Sequence, residues 1–142
     1  MPLAEAIKHA GIIPDILNRK SDTKQSMIYF AHRKLVDADV YFLDNHKDVA
    51  EENTFTFAST GKYAQLWNTV TGERFSLPIL KSNDKTVSVQ LYMHPRESYV
   101  VMITDKKETL PPVSWITPQD NTESIEGAWE VCFDEKLGGP GT

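Results

Sequence analysis

Met27 to Asn45, MIYFAHRKLVDADVYFLDN, sets two runs of β-branched and aromatic residues on either side of a polar corner, Arg33 to Ala38. Such runs around a short polar break predict a β-hairpin. In the first run Ile28, Phe30 and His32 share one face while Met27, Tyr29 and Ala31 share the other; in the second, Val40 and Phe42 oppose Tyr41 and Leu43. Apolar side chains on both faces predict a pair at the centre of a sheet, covered on both sides rather than left at an edge.

Strand signals continue on the C-terminal side. Residues 54–58, TFTFA, alternate with Phe55 and Phe57 inward, which predicts a strand facing solvent on its other side. Residues 63–67 and 73–77 flank a turn in which Asn68 can close an Asx-turn and Gly72 can supply a positive φ. In residues 86–91 Val87, Val89 and Leu91 point inward. Residues 98–104 are apolar almost throughout, as in a central strand. Glu51-Glu52 reads as a polar turn before a strand.

On the N-terminal side, Pro2 to Ala10 is the one helix candidate. Pro2 suits the first turn, Leu3, Ala6, Ile7 and Ala10 form a stripe at helical spacing, and Gly11 can take the left-handed cap. Ile13-Pro14-Asp15 ends it, because the residue before proline is pushed out of helical geometry. Together, one short N-terminal helix and about seven short strands predict an all-β fold, an antiparallel β-sandwich of immunoglobulin-like type, with a closed barrel as the alternative. The charge run 105–108 and Leu110-Pro111-Pro112 close the sandwich near Thr104, since proline cannot donate to a ladder. Trp115 is the anchoring aromatic of the connector that follows. Residues 128–134, AWEVCFD, then read as a further strand.

Composition narrows the partners. A net charge of −5 and the lack of a basic patch argue against nucleic acid, and no apolar run approaches the ~20 residues that span a bilayer. Neither a signal peptide nor a membrane anchor is expected. The single cysteine, Cys132, excludes an internal disulfide and any multi-cysteine zinc site. No cofactor is implied.

Three constellations bear on chemistry. Asp37 and Asp39 stand two apart, the spacing of a cation or acid/base pair, but a hard cation needs six to eight oxygens; a solvated corner is the simpler reading, and no metal site is expected. His32-Arg33 ends an apolar strand at the corner, where a guanidinium and an imidazole can hold a carboxylate or a sugar hydroxyl. These two are the candidate ligand-binding residues, set against a structural ion pair with Asp37 or Asp39. Trp67, Trp115 and Trp129 are the candidate sugar-stacking aromatics, set against core or interface roles.

Taken together, His32-Arg33, DADVYFLDN over 37–45, LWNTVTGE over 66–73 and SYVVMI over 98–103 resemble the β-sandwich region of large bacterial α-L-rhamnosidase-like glycoside hydrolases. Pro14-Asp15 is similar to the leader that precedes this region, and 127–140, GAWEVCFDEKLGGP, resembles the opening strand of the galactose-binding-like sandwich that comes next. Two positions depart from the family pattern: Lys34-Leu35 stands where an arginine and a polar residue are common, and Asn68 replaces an aspartate. The resemblance implies a barrel-side helix and linker over 1–21, a β-sandwich over 22–105, a linker over 106–127 and the first strand of a following domain over 128–142.

It also implies that the catalytic barrel of the parent chain is the main partner and carries the catalytic residues, so none is assigned here. The parent is expected to be periplasmic or secreted. The expected function is a non-catalytic accessory domain of a carbohydrate-active enzyme; the alternatives are an autonomous carbohydrate-binding module that takes oligosaccharide, and a small free-standing enzyme. Apolar faces near Ile7 and Trp129 predict back-folding or self-association of the isolated chain.

Overall fold

The computed structural model of the chain describes residues 2–18 and 28–115, with 124, 126–128, 136 and 138 beyond them. In chain order the elements are helix α1 (Leu3–His9) and strands β1 (Ile16–Asn18), β2 (Ile28–Lys34), β3 (Ala38–Asn45), β4 (Glu51–Phe57), β5 (Tyr63–Asn68), β6 (Arg74–Leu77), β7 (Ile79–Ser82), β8 (Val87–Met93) and β9 (Ser98–Thr104). Residues 129–134 of the expected strand over 128–134, Trp129 and Cys132 among them, lie outside the described residues.

The strands form two antiparallel sheets, β1-β4-β8-β7 and β2-β3-β9-β5-β6. No strand pairs across the two, so the fold is a sandwich and not a closed barrel. The chain keeps changing sheets, most abruptly between β6 and β7, where Pro78 alone separates the two strands. A proline suits that place because its missing N–H is not needed by either ladder.

Period-two alternation builds the core. The four-stranded sheet turns in Phe55, Phe57, Val87, Val89, Leu91 and Met93; the five-stranded sheet answers with Tyr41, Leu43, Leu66, Val101 and Ile103, all essentially without solvent contact. Strand β9 lies at the middle of its sheet, as its apolar run predicts. The turn after β5 forms as read: Asn68 Oδ1 accepts from the amides of Val70 (2.9 Å) and Thr71 (3.1 Å), and Gly72 has φ 73°. Likewise Gly11 takes φ 67° beyond α1, letting the Ile12 amide return to the Ile7 carbonyl at 3.2 Å.

Three local expectations need correction. The hairpin β2–β3 is not central, because β9 takes the free side of β3 and leaves β2 at the edge of its sheet. Nor is it covered on both faces: Tyr29 and Phe42 are 58% and 41% exposed. Glu51-Glu52 is not a turn but the start of β4, opposite Met93 and Tyr92, with Lys47 paired to Glu51. Strands β1 and β7 were not apparent because each is a short edge strand, too brief for alternation to register. Beyond β9, Pro111 does extend the sheet in the one way proline can, its carbonyl accepting from the Ser76 amide at 2.8 Å. From there Val113 and Trp115 fold back against the core, Trp115 edge-on to Tyr99 at 6.1 Å.

Truncating Phe57, fully enclosed between the sheets, removes contacts from both layers. The Phe57→Ala variant is expected to lose about 3–5 kcal/mol in urea unfolding, whereas Thr54→Ala on the partly exposed side of the same strand should stay within about 0.5 kcal/mol.

Candidate functional site

The corner singled out in the sequence becomes a polar cluster at one end of the sandwich. Strand β2 brings His32 and β3 brings Asp39 and Tyr41; the segment leaving β4 adds Ser59, and the segment entering β1 adds Asp15. Asp39 is buried, and its Oδ2 accepts from the Ser59 hydroxyl at 2.7 Å. Its Oδ1 lies 3.2 Å from His32 Nε2 and 3.8 Å from Lys34 Nζ. His32 Nδ1 faces Asp15 Oδ1 at 3.4 Å, so each ring nitrogen meets a carboxylate. The imidazole lies flat on Tyr41, with centroids 4.1 Å apart and planes 8° from parallel.

Tyr41 carries the cluster into the core. Its hydroxyl donates to the Ala58 carbonyl at 2.9 Å, and its ring meets Phe57 at 4.6 Å. Burial, and after it the negative charges of Asp39 and Asp15, push its phenol well above the ordinary value of 10.0. At the opposite end of the sandwich Tyr99 is shifted the same way by burial and by its hydrogen bond to Glu97 Oε1 at 2.7 Å.

The two candidate residues part company. His32 opposes Tyr41 in the register and sits on the inner face, whereas Arg33 opposes Val40 and stands exposed on the outer face. They therefore do not converge on one ligand atom. His32 meets Asp39, whereas Arg33 makes no ion pair among the described residues. Asp37 and Asp39 also separate: Asp39 is consumed within the fold, while exposed Asp37 pairs with Lys106, which holds its carboxyl below the usual range. Among the described residues no three His, Cys, Asp or Glu side chains are arranged to hold a metal ion.

Beside the cluster lies an open groove of about 400 Å³, lined by Lys34, Asp37, Ser59, Thr60, Gly61 and Lys106 among others. Gly61 forms its tight wall, for a Cβ there would sit 2.8 Å from both Ile103 Cγ2 and the Thr104 amide nitrogen. Sequence reading found the corner but did not place Asp15, quoted only as part of the Pro14-Asp15 leader, or Ser59 at it; both reach it only through the strand order. The aromatic candidates prove structural in setting: Trp115 packs on the core, and Trp67 donates from Nε1 to Gln65 at 2.9 Å beneath the Arg74 guanidinium, 5.4 Å from the ring centroid.

An antiparallel two-sheet sandwich whose buried carboxylate is satisfied from within belongs to the class of β-sandwich modules, and comparison with known proteins makes this specific. Residues 1–78 match the α-L-rhamnosidase family, more than half of the 142 residues, and the chain belongs to that family. The structure of a rhamnosidase from Novosphingobium sp. PP1Y is similar over 82% of this chain, with a TM-score of 0.64 and 25% sequence identity. That match covers 11% of the Novosphingobium chain. No curated protein matches this sequence.

Two outcomes follow from the cluster. Ser59→Ala removes one donor from a buried carboxylate and is expected to cost about 1–3 kcal/mol of stability, read from urea midpoints at pH 7. Because folding raises both phenol pKa values, stability from Tyr41 and Tyr99 is fully present below the unfolded value of about 10 and is lost as pH rises through the folded values. Unfolding midpoints should therefore hold steady to about pH 9.5 and fall beyond it, less steeply in Tyr41→Phe.

Proposed function

We propose that this chain is a non-catalytic accessory β-sandwich domain of a larger α-L-rhamnosidase, which supports the catalytic barrel and fixes the position of neighbouring modules. The observation that carries this reading is the asymmetry of the match: 82% of this chain corresponds to 11% of a rhamnosidase. A glycosidase working by general acid and base needs two carboxyl groups facing one bond across a cleft. Here the buried carboxylate Asp39 serves Ser59 and His32, and Asp37 serves Lys106. In this reading residues 1–21 lead in from the barrel side, 22–105 form the sandwich, 106–127 link onward and 128–142 begin the next domain.

The groove lined by Lys34, Asp37, Ser59 and Lys106 favours one second reading, an oligosaccharide-binding module that takes sugar at this corner. The two readings separate in the isolated chain. Under the accessory reading an aryl α-L-rhamnoside is not hydrolysed, and tryptophan fluorescence does not change with rhamnose-containing oligosaccharides. Saturable quenching at millimolar sugar, weakened by Lys34→Ala, would establish the binding module instead; turnover surviving repurification would refute both.

A further inference from the structure

The outer faces of the two sheets are built in opposite ways. On the four-stranded sheet the outward positions of β1, β4 and β8 are mostly polar, Glu52, Thr54, Thr56, Ser88 and Gln90, with Tyr92 and the edge residue Leu17 the apolar side chains among them. Thr56 and Ser88 join hydroxyls at 2.8 Å, and Gln90 donates to Glu52. Such a polar face is suited to water. The five-stranded sheet instead turns outward Tyr29, Val40, Phe42, Val100, Met102 and Trp67. Phe42 lies opposite Val100 and Val100 opposite Trp67, so an apolar row crosses β3, β9 and β5 without interruption. Arg33 borders the row, exposed and without an ion pair among the described residues. An apolar centre with an arginine at its margin has the composition of an interface.

We propose that this face docks against another domain of the same, longer polypeptide, one that presents an apolar surface with a carboxylate facing Arg33. The inference rests on the accessory-domain reading and names the surface that reading requires. Two observations select this occupant. The match accounts for 11% of a rhamnosidase chain, so the bulk of such a polypeptide lies outside this domain. A second copy, by contrast, brings little for Arg33: among the described residues the carboxylates at this face, Asp44 and Glu108, are already held by His46 and Arg74. Nor is the face an open stacking platform for sugar, since Arg74 sits over the Trp67 ring.

The test uses the longer rhamnosidase polypeptide with the photo-crosslinking residue p-benzoylphenylalanine in place of Phe42, and in a control in place of Gln90 on the polar sheet. Irradiation is expected to join position 42 to residues outside this domain within the same chain, and to join position 90 to none. Links between two copies, or equal yields from the two positions, would overturn the proposal. A second variant, Arg33→Glu, lies on an exposed edge strand and leaves the isolated domain's unfolding midpoint unchanged; in the longer polypeptide it should abolish the link from position 42. An undiminished link would overturn the role of Arg33. Rhamnoside turnover by the isolated domain would refute the non-catalytic reading while leaving the link in place, so the two failures are distinguishable.

Discussion

Tyr41 is the contact on which the sandwich turns. It belongs to β3 of the five-stranded sheet, yet its ring packs on Phe57 and its hydroxyl donates to Ala58 at the end of β4, in the other sheet. Face-to-face sheets are held chiefly by non-directional apolar burial, which sets their separation but leaves their relative slide free. A buried hydroxyl that must find an acceptor removes that freedom, because leaving it unsatisfied costs about 1–3 kcal/mol. His32, stacked on the same ring, and Asp39, bonded to Ser59, extend the link from one ring to a whole corner. The opposite end is fastened by the same device: fully buried Asn45 donates to the Val49 and His94 carbonyls and accepts from the Lys47 amide, fixing the loops that flank β4 and β9.

These fastenings explain why the polar residues here are structural before they are anything else. A buried carboxylate is tolerated when donors surround it, and Asp39 has Ser59 and His32 within hydrogen-bond range and Lys34 close by. The groove beside Lys34 and the apolar outer face of the larger sheet are the parts of the described surface that these fastenings leave open.

Much of this was legible in the residues. Alternation located β3, an unbroken apolar run located β9, and alternation put Phe55, Phe57, Val87, Val89 and Leu91 on the inside, because a strand's two-residue period maps directly onto two faces. The Asn68 and Gly72 turn was legible because its chemistry is local. Strands β1 and β7 were not, being no more than two periods long, and Glu51-Glu52 hid the start of β4 because an exposed carboxylate pair looks the same in a turn and in a strand.

The sequence by itself determined the all-β class, the inward residues and the polar corner, since all three follow from spacing along the chain. Only the tertiary structure decided that β2 is an edge strand among the described residues, and that Asp15 and Ser59 complete the corner. Strand order is set by which hydrophobic faces pair across space, and no local pattern encodes it. The apolar outer side of Met27 to Asn45 suggested a covered, central hairpin; the fold instead leaves that side exposed, because the neighbour β2 lacks and the cover the face lacks are not supplied by the described residues.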